Sequence, residues 1–361
     1  MNNRKLYILI LFIMSVFIAC DSTETPPGDT TNIPADPSGV TVPTPTQNNA
    51  MPTATFSPSG SVMKINLQGL LDPTTNQPIQ FSYNASNPQG SNIFVQEDGV
   101  VKGLSVTKVG SGNVLAADVV FLVDNSGSMD QEADSVAASI IEFANYLQTS
   151  GLDVKFSVVG FSVSGTINGG INFTSAQTLS NYLNRYTGTY RTEGFSGPDS
   201  AALTTRALGF GYAGDENGVM AALFADSAYT WRSGSQRVMI LFTDEPTQSD
   251  GIEWTNNVGC SKLGGRATVH TVFSGDTNIY NYTYWNQYNE RPWDLSTCTS
   301  GTIKYIPTSA AGLNLRDLPV SGTLTNSYLV QYRTSSPGTH TVKITIYTST
   351  ADGSQTYTVQ Y

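Results

Sequence analysis

The stretch Val119-Val-Phe-Leu-Val-Asp-Asn-Ser-Gly-Ser-Met-Asp130 stops an unbroken apolar run at a carboxylate, followed by two hydroxyls around a glycine. An apolar run of this length has no polar face to offer water, so the strand it forms must be covered on both sides, as in a parallel sheet. A second run, Arg237-Val-Met-Ile-Leu-Phe-Thr-Asp-Glu245, has the same form. Two such strands commit the middle of the chain to an α/β fold with helices on both faces of one sheet.

The residues between and around these runs fit that architecture. Val136, Ile140, Phe143 and Leu147 recur at helical spacing and predict an amphipathic helix over 131–147. A strand over 154–163 and a helix over 176–186 follow, then a long glycine-rich excursion from 188 to 214. Beyond it come a helix over 218–231, strands over 237–242, 267–273 and 301–306, and a helix over 310–318. The pattern predicts a doubly wound, mostly parallel, Rossmann-like sheet over residues 116–320. The flanks alternate apolar and polar residues instead, with turn signals at Asp98-Gly99, Ser336-Pro337-Gly338 and Asp352-Gly353. Neither flank has enough strands to bury a core alone. Residues 61–115 and 321–361 are therefore expected to form one small antiparallel β-sandwich, with the α/β domain inserted in it; two separate sheets flanking that domain are the alternative.

Composition and the start of the chain bear on location and partners. The 361 residues carry a net charge of −10, which argues against nucleic acid or an anionic lipid surface as a partner. Charged residues are only 13% of the chain, about half the usual share, a balance suited to an exported protein. Asn3-Arg4-Lys5, the apolar stretch 6–18 and Ala19-Cys20 resemble a bacterial lipoprotein signal, with Phe17 where that pattern usually has leucine. The resemblance implies that residues 1–20 are removed before Cys20, that Cys20 carries lipid, and that the chain is anchored to the bacterial envelope, at the outer membrane or cell surface. An ordinary signal or a short anchor is the alternative, and all three export the chain. Residues 21–60, rich in Thr, Pro, Asn and Gly, are expected to be a disordered tether. Cys260 and Cys298 then have one possible intramolecular pairing in an oxidising compartment, against the alternative of two buried thiols.

In an open parallel sheet, ligands sit beyond the carboxyl ends of the strands. Asp124 occupies such an end, and Asp124-x-Ser126-x-Ser128 puts a carboxylate and two hydroxyls on a tight turn, with Gly127 free to take unusual backbone angles. These oxygens suit a hard cation such as Mg²⁺. One aspartate binds it weakly, and the second strand supplies Asp244 at the same sheet edge. Together the two strands, with Asp-x-Ser-Gly-Ser-Met and Thr-Asp at their ends, resemble a von Willebrand factor type A domain with its metal-ion-dependent adhesion site. The resemblance implies that Ser126 and Ser128 are direct ligands and that Asp124 and Asp244 act mostly through water. It also implies Mg²⁺, or Mn²⁺ or Ca²⁺, in the site. The family's middle-loop threonine is missing here; "GDENGVMAAL" stands in its place and resembles a subgroup with an acidic loop. Glu216 is the first candidate for that position, Asp215 the second and Asn217 the third. A partner's acidic group would take the ion's replaceable position, so the expected partner is a protein or glycan with such a group.

The aromatic segment after the strand 267–273 leaves the same sheet edge, and Tyr282, Tyr284, Trp285 and Tyr288 are expected on the binding rim with Tyr190 and Arg191 of the glycine-rich excursion. Packing of these aromatics over the sheet is the competing expectation. No enzyme is expected. The chain has only His270 and His340 as imidazole bases, and no His-Glu-x-x-His, Gly-x-Ser-x-Gly or phosphate-cradling loop. The expected function is metal-dependent adhesion or ligand binding at the cell envelope. Envelope assembly through the same site is the alternative, and glycan hydrolysis by the Asp124/Asp244 pair a more distant one.

Overall fold

The computed structural model describes residues 32–361 other than 76, 109–115, 151, 164, 187–191, 250, 252 and 276–284. Cys20, Tyr190, Arg191, Tyr282 and Tyr284 lie outside the described residues. The chain opens with β1 (Ala54–Ser59), β2 (Val62–Leu67), β3 (Ile93–Glu97), β4 (Val100–Val101) and β5 (Ser105–Lys108). The middle contributes β6 (Ala116–Asp124), α1 (Ala133–Thr149), β7 (Asp153–Ser162), β8 (Thr166–Thr174), α2 (Ala176–Leu183), α3 (Thr192–Phe195), β9 (Gly197–Pro198), α4 (Ala201–Leu208) and α5 (Gly218–Ala228). It continues through β10 (Gln236–Thr243), β11 (Thr247–Gln248), α6 (Asn256–Leu263), β12 (Thr268–Phe273), β13 (Asn289–Glu290), α7 (Asp294–Cys298), β14 (Ile303–Tyr305) and α8 (Val320–Thr325). The chain closes with β15 (Tyr328–Arg333), β16 (Thr339–Tyr347) and β17 (Asp352–Gln360).

The central sheet runs β14-β12-β10-β6-β7-β8-β9. All its pairings are parallel except β7 with β8. Along β6 the side chains alternate between two cores. Val119, Phe121 and Val123 pack with Val136, Ile140, Phe143 and Leu147 of α1 on one face. Val120 and Leu122 pack with Val219, Leu223 and Phe224 of α5 on the other. The unbroken apolar run is thereby explained: each face of the strand meets its own helix layer.

Antiparallel β8 is missing from the sequence reading because Asn168-Gly169-Gly170 interrupts its apolar alternation. The glycines have a packing role. A Cβ at Gly169 would stand 1.9 Å from the Phe195 carbonyl oxygen, and one at Gly160 2.2 Å from the same atom. The bare backbone of β7 and β8 therefore lets residues 192–198 close over the sheet, where β9 adds to its edge. The glycine-rich excursion is thus packed structure over its described part, including α4. In place of the helix expected over 310–318, a short 3₁₀ turn, Leu315–Asp317, precedes α8. Helix α6, which carries Cys260, is likewise absent from the sequence reading.

The two ends of the chain form two four-stranded antiparallel sheets, β1-β2-β15-β5 and β17-β16-β3-β4. Their inner faces share one core: Met63, Ile65 and Val330 from the first sheet against Val95, Ile344 and Val359 from the second. One sandwich is built from both ends of the chain, with the α/β domain inserted between β5 and β15. The sandwich sits at the ends where β10 and β12 begin. Ala54 N–H donates to Gly265 O at 3.3 Å, Thr55 Oγ1 to Gly234 O at 3.1 Å and Thr268 Oγ1 to Gln68 Oε1 at 2.8 Å.

The tether expected over 21–60 differs from the structure at its C-terminal end. Ile33 and Ala50 are buried, and β1 already begins at Ala54. Asp36 pairs with Lys102 at 2.7 Å, and Asp352 accepts the N–H groups of Thr46, Gln47 and Asn48 at 2.7–2.9 Å. Polar, proline-rich sequence is held here by specific side-chain caps, which composition does not register.

Candidate functional site

Strand β6 delivers Asp124 to the sheet edge fully buried. One carboxylate oxygen accepts the Ser126 N–H at 3.0 Å, and the other accepts the Thr243 hydroxyl at 2.9 Å. The first bond turns the chain sharply after the strand. The second ties β6 to the end of its neighbour β10. Residues Gly127–Gln131 then form a 3₁₀ turn that presents Ser128 next to Ser126, with the two Oγ atoms 2.9 Å apart. Ser128 Oγ donates to Asp244 Oδ1 at 3.0 Å, so the two sheet-edge loops meet at a row of three side-chain oxygens. Gly127 corrects one expectation. It is exposed, is not among the glycines with positive φ, and a Cβ there would touch nothing within 4 Å. A 3₁₀ turn needs no special backbone angle at that position.

The middle loop separates its three candidates. Asn217 caps α5: its Oδ1 accepts the Met220 N–H at 2.8 Å, and its Nδ2 donates to the carbonyls of Gln248 and Trp254. Its polar atoms are thus committed to the helix start. Glu216 is buried, and its backbone pairs with Gln248. Burial, then the nearby charge of Asp124, pushes its carboxyl up to about 8. Asp215 is half-buried, with Oδ1 inaccessible to solvent and without a hydrogen-bond partner.

Burial also raises Asp124, to about 7, with Asp244 adding repulsion, and raises Asp244 itself. Among the described residues none of these three carboxylates forms an ion pair with lysine or arginine. The edge therefore gathers buried carboxyl groups that no lysine or arginine among the described residues pairs with. No three His, Cys, Asp or Glu side chains among the described residues are grouped tightly enough to hold an ion alone. An ion here depends on the serine hydroxyls as well, and an oxygen-only set of mixed hydroxyls and carboxylates fits a hard divalent cation.

Two residues enter this region without a sequence signal that assigned them. Thr243 links Asp124 to the Glu245 backbone, accepting that N–H at 3.1 Å; it was visible only as the residue before Asp244. Glu132 is fully buried behind the loop, where Ser274 donates to one oxygen and the other has no partner. Its polarity places it on a helix surface by pattern, and only the tertiary packing shows it inside.

The model for the von Willebrand factor type A domain matches residues 118–290. Residues 118–290 form a von Willebrand factor type A domain. Its match takes in both sheet-edge loops described above. No curated protein matches the chain. Among solved structures, the chain is similar to two that carry such folds. Proximal thread matrix protein 1 from the mussel byssus, with a zinc-occupied MIDAS motif, is 13% identical, with a TM-score of 0.39 over 64% of this chain and 50% of that one. The pilus adhesin SpaC from Lactobacillus rhamnosus GG, in an open conformation, is 12% identical, with a TM-score of 0.37 over 88% of this chain and 48% of that one. The chain spans about half the length of these structures.

The rim of the type A domain is divided. The Trp285 ring lies 5.3 Å from Trp293, which in turn meets Phe273 and Tyr305 at 5.1 and 5.5 Å. Trp285 therefore belongs to an aromatic cluster at the ends of β12 and β14, and it stays partly exposed there. Tyr288 is 56% exposed. Its carbonyl accepts the Ser249 N–H at 3.1 Å, and β13 pairs with β11, so the end of the aromatic segment is stitched to the loop that follows Asp244. Cys260 and Cys298 form a disulfide joining α6 to α7. Neither histidine is placed as a base at the metal edge. His270 is buried in β12, and His340 of the sandwich is bonded to Asp98 at 2.7 Å and stacked on Tyr361.

Proposed function

We propose that this protein binds an acidic group of a protein or glycan partner through a divalent cation held by its type A domain, and that it does so as an exported, lipid-anchored adhesion or ligand-binding protein of the bacterial envelope. The observation that carries the reading is the row Ser126, Ser128 and Asp244, linked at 2.9 and 3.0 Å, beside buried carboxylates that have no basic partner among the described residues. Ser126 and Ser128 would hold the ion, with Asp244, Asp124 and Glu216 supplying charge around it. Mg²⁺ is the proposed ion, with Mn²⁺ or Ca²⁺ as substitutes. Bound there, the ion offers a positive centre with a replaceable position to an incoming carboxylate.

Thr243 and the Ser126 amide fix the Asp124 carboxylate, so the site can be ordered before the ion arrives. Asp124 is too deeply buried to reach a glycosidic bond, which speaks against a hydrolase built on Asp124 and Asp244. Envelope assembly through the same site remains the second reading, because both uses need the same chemistry. Labelling of intact cells separates them: an adhesin takes up a membrane-impermeant label, whereas an inward-facing assembly factor is protected.

The direct test is calorimetric titration of the folded protein with Mg²⁺, using Ser128→Ala and Asp244→Asn as variants. Each variant should lose at least tenfold in affinity while keeping its circular dichroism. Unchanged Mg²⁺ affinity in both would overturn the metal reading. Unchanged capture of surface partners in EDTA would overturn the adhesion reading.

A further inference from the structure

Where the sandwich meets the type A domain, at the opposite end of the sheet from the metal edge, the two domains enclose an open cavity of about 580 Å³. Strand β10 separates the two places by seven residue steps, about 23 Å. Residues 231–237, residues 264–266 and strands β1 and β17 form its walls. This volume lies within the range that holds small organic ligands.

The charge of the lining is unusual for a chain with a net charge of −10. Three arginines line the cavity and no carboxylate does. Arg232 is fully committed: it pairs with Asp118 at 2.7 Å and Asp153 at 2.8 Å. Arg237 and Arg266 are not. They share a single oxygen of Asp226, at 2.8 and 3.3 Å, so two guanidiniums lean on one carboxylate. Burial lowers the Arg237 guanidinium most, Asp226 and Asp118 oppose that, and the neighbouring Arg266 adds to it. Asp118, Asp153 and Asp226 together balance the three guanidiniums in charge, but Arg237 and Arg266 meet only one carboxylate oxygen between them, and Arg266 keeps half its side chain exposed.

The remaining walls add apolar area and hydroxyls. Arg237 lies over the Trp231 ring, 4.7 Å from its centroid, and Phe56 packs edge-on to Tyr357 at 4.8 Å on the sandwich side. Paired guanidinium forks match a planar carboxylate in two-point hydrogen bonding. Aromatic walls with scattered hydroxyls suit the flat face and hydroxyl rim of a sugar ring.

We infer that this interdomain cavity is a second, metal-independent binding site for a small carboxylate of the size and polarity of an acidic monosaccharide, held by Arg237 and Arg266. The ligand's carboxylate meets guanidinium N–H groups that the single Asp226 oxygen does not, and its ring lies against the aromatic wall. Nothing in this site depends on Ser126, Ser128 or Asp244.

The test is titration of the full exported chain with glucuronate, using neutral glucose as the control and repeating both in EDTA. The inference expects glucuronate to bind equally with and without EDTA, and glucose to bind at least tenfold more weakly. Arg266→Ala, at a half-exposed position, should reduce glucuronate affinity at least tenfold without lowering the thermal midpoint. Thr358→Trp, which fills the cavity from exposed β17 and leaves all three arginines in place, should reduce it as well. Absence of glucuronate binding, full binding by both variants, or loss of binding in EDTA would each overturn the inference; the last would assign the ligand to the metal edge.

Discussion

Asp124 shows how one buried residue sets opposing demands. Its carboxyl is raised to about 7 by burial first and by Asp244 second, so the fold prefers it protonated, whereas the unfolded chain ionises it near 4. The stability associated with this group is fully present below the unfolded pKa and is lost as pH rises through 7; Glu216, raised to about 8, acts in the same direction. In EDTA the thermal midpoint should therefore fall between pH 5 and pH 8, and Mg²⁺ should recover most of the loss at pH 8. Asp124→Asn keeps an acceptor for the Ser126 amide and removes the buried charge. It should raise metal-free stability at pH 8 by roughly 1–2 kcal/mol and abolish the Mg²⁺-dependent gain, both readable by calorimetry. His270 runs the other way. Burial lowers it to about 4, so the unfolded chain takes up its proton first as pH falls from 6.5, and stability drops by about 3 kcal/mol between pH 6.5 and 4. His270→Gln should flatten that part of the acid-unfolding profile.

Elements here are held by what their neighbours lack. Strands β7 and β8 accept the Phe195 carbonyl only because Gly160 and Gly169 have no side chain. Gly169→Ala should cost roughly 2–3 kcal/mol through displaced backbone, whereas Gly127→Ala, in open space, should change stability by less than about 0.5 kcal/mol. Urea unfolding of the pair separates packing glycines from loop glycines. The disulfide between α6 and α7 closes a sequence separation of 38 residues. Chain entropy gives it about 4 kcal/mol, so Cys260→Ala with Cys298→Ala should lower the urea midpoint accordingly.

At the scale of the whole molecule the insertion couples folding of the two ends. Strand β15 pairs with β2 and β5, and β16 with β3, so each sheet of the sandwich needs strands from both sides of the type A domain. Removing residues 339–361 deletes β16 and β17 and bares the apolar face of Met63, Ile65 and Val330. Such a truncation should show no cooperative unfolding transition for the sandwich in differential scanning calorimetry, while type A domain helicity persists. The metal edge lies at the far end of the sheet from the sandwich.

The residues themselves determined the parallel sheet, because runs such as 119–123 and 238–242 have no polar side to show water, and they determined where its oxygen-bearing edge lies, because Asp124 and Asp244 interrupt those runs. Alternation in both flanks likewise announced strands that were too few to stand alone. What only tertiary structure decided depends on contacts between residues far apart in the chain. Asn217 became a helix cap and Glu216 was buried within range of the Asp124 charge; Trp285 found Trp293; residues 33–53 were clamped by Asp352 and Lys102; and two arginines came to share Asp226. Periodicity reports which face of an element is buried, and says nothing of which distant side chain will meet it there.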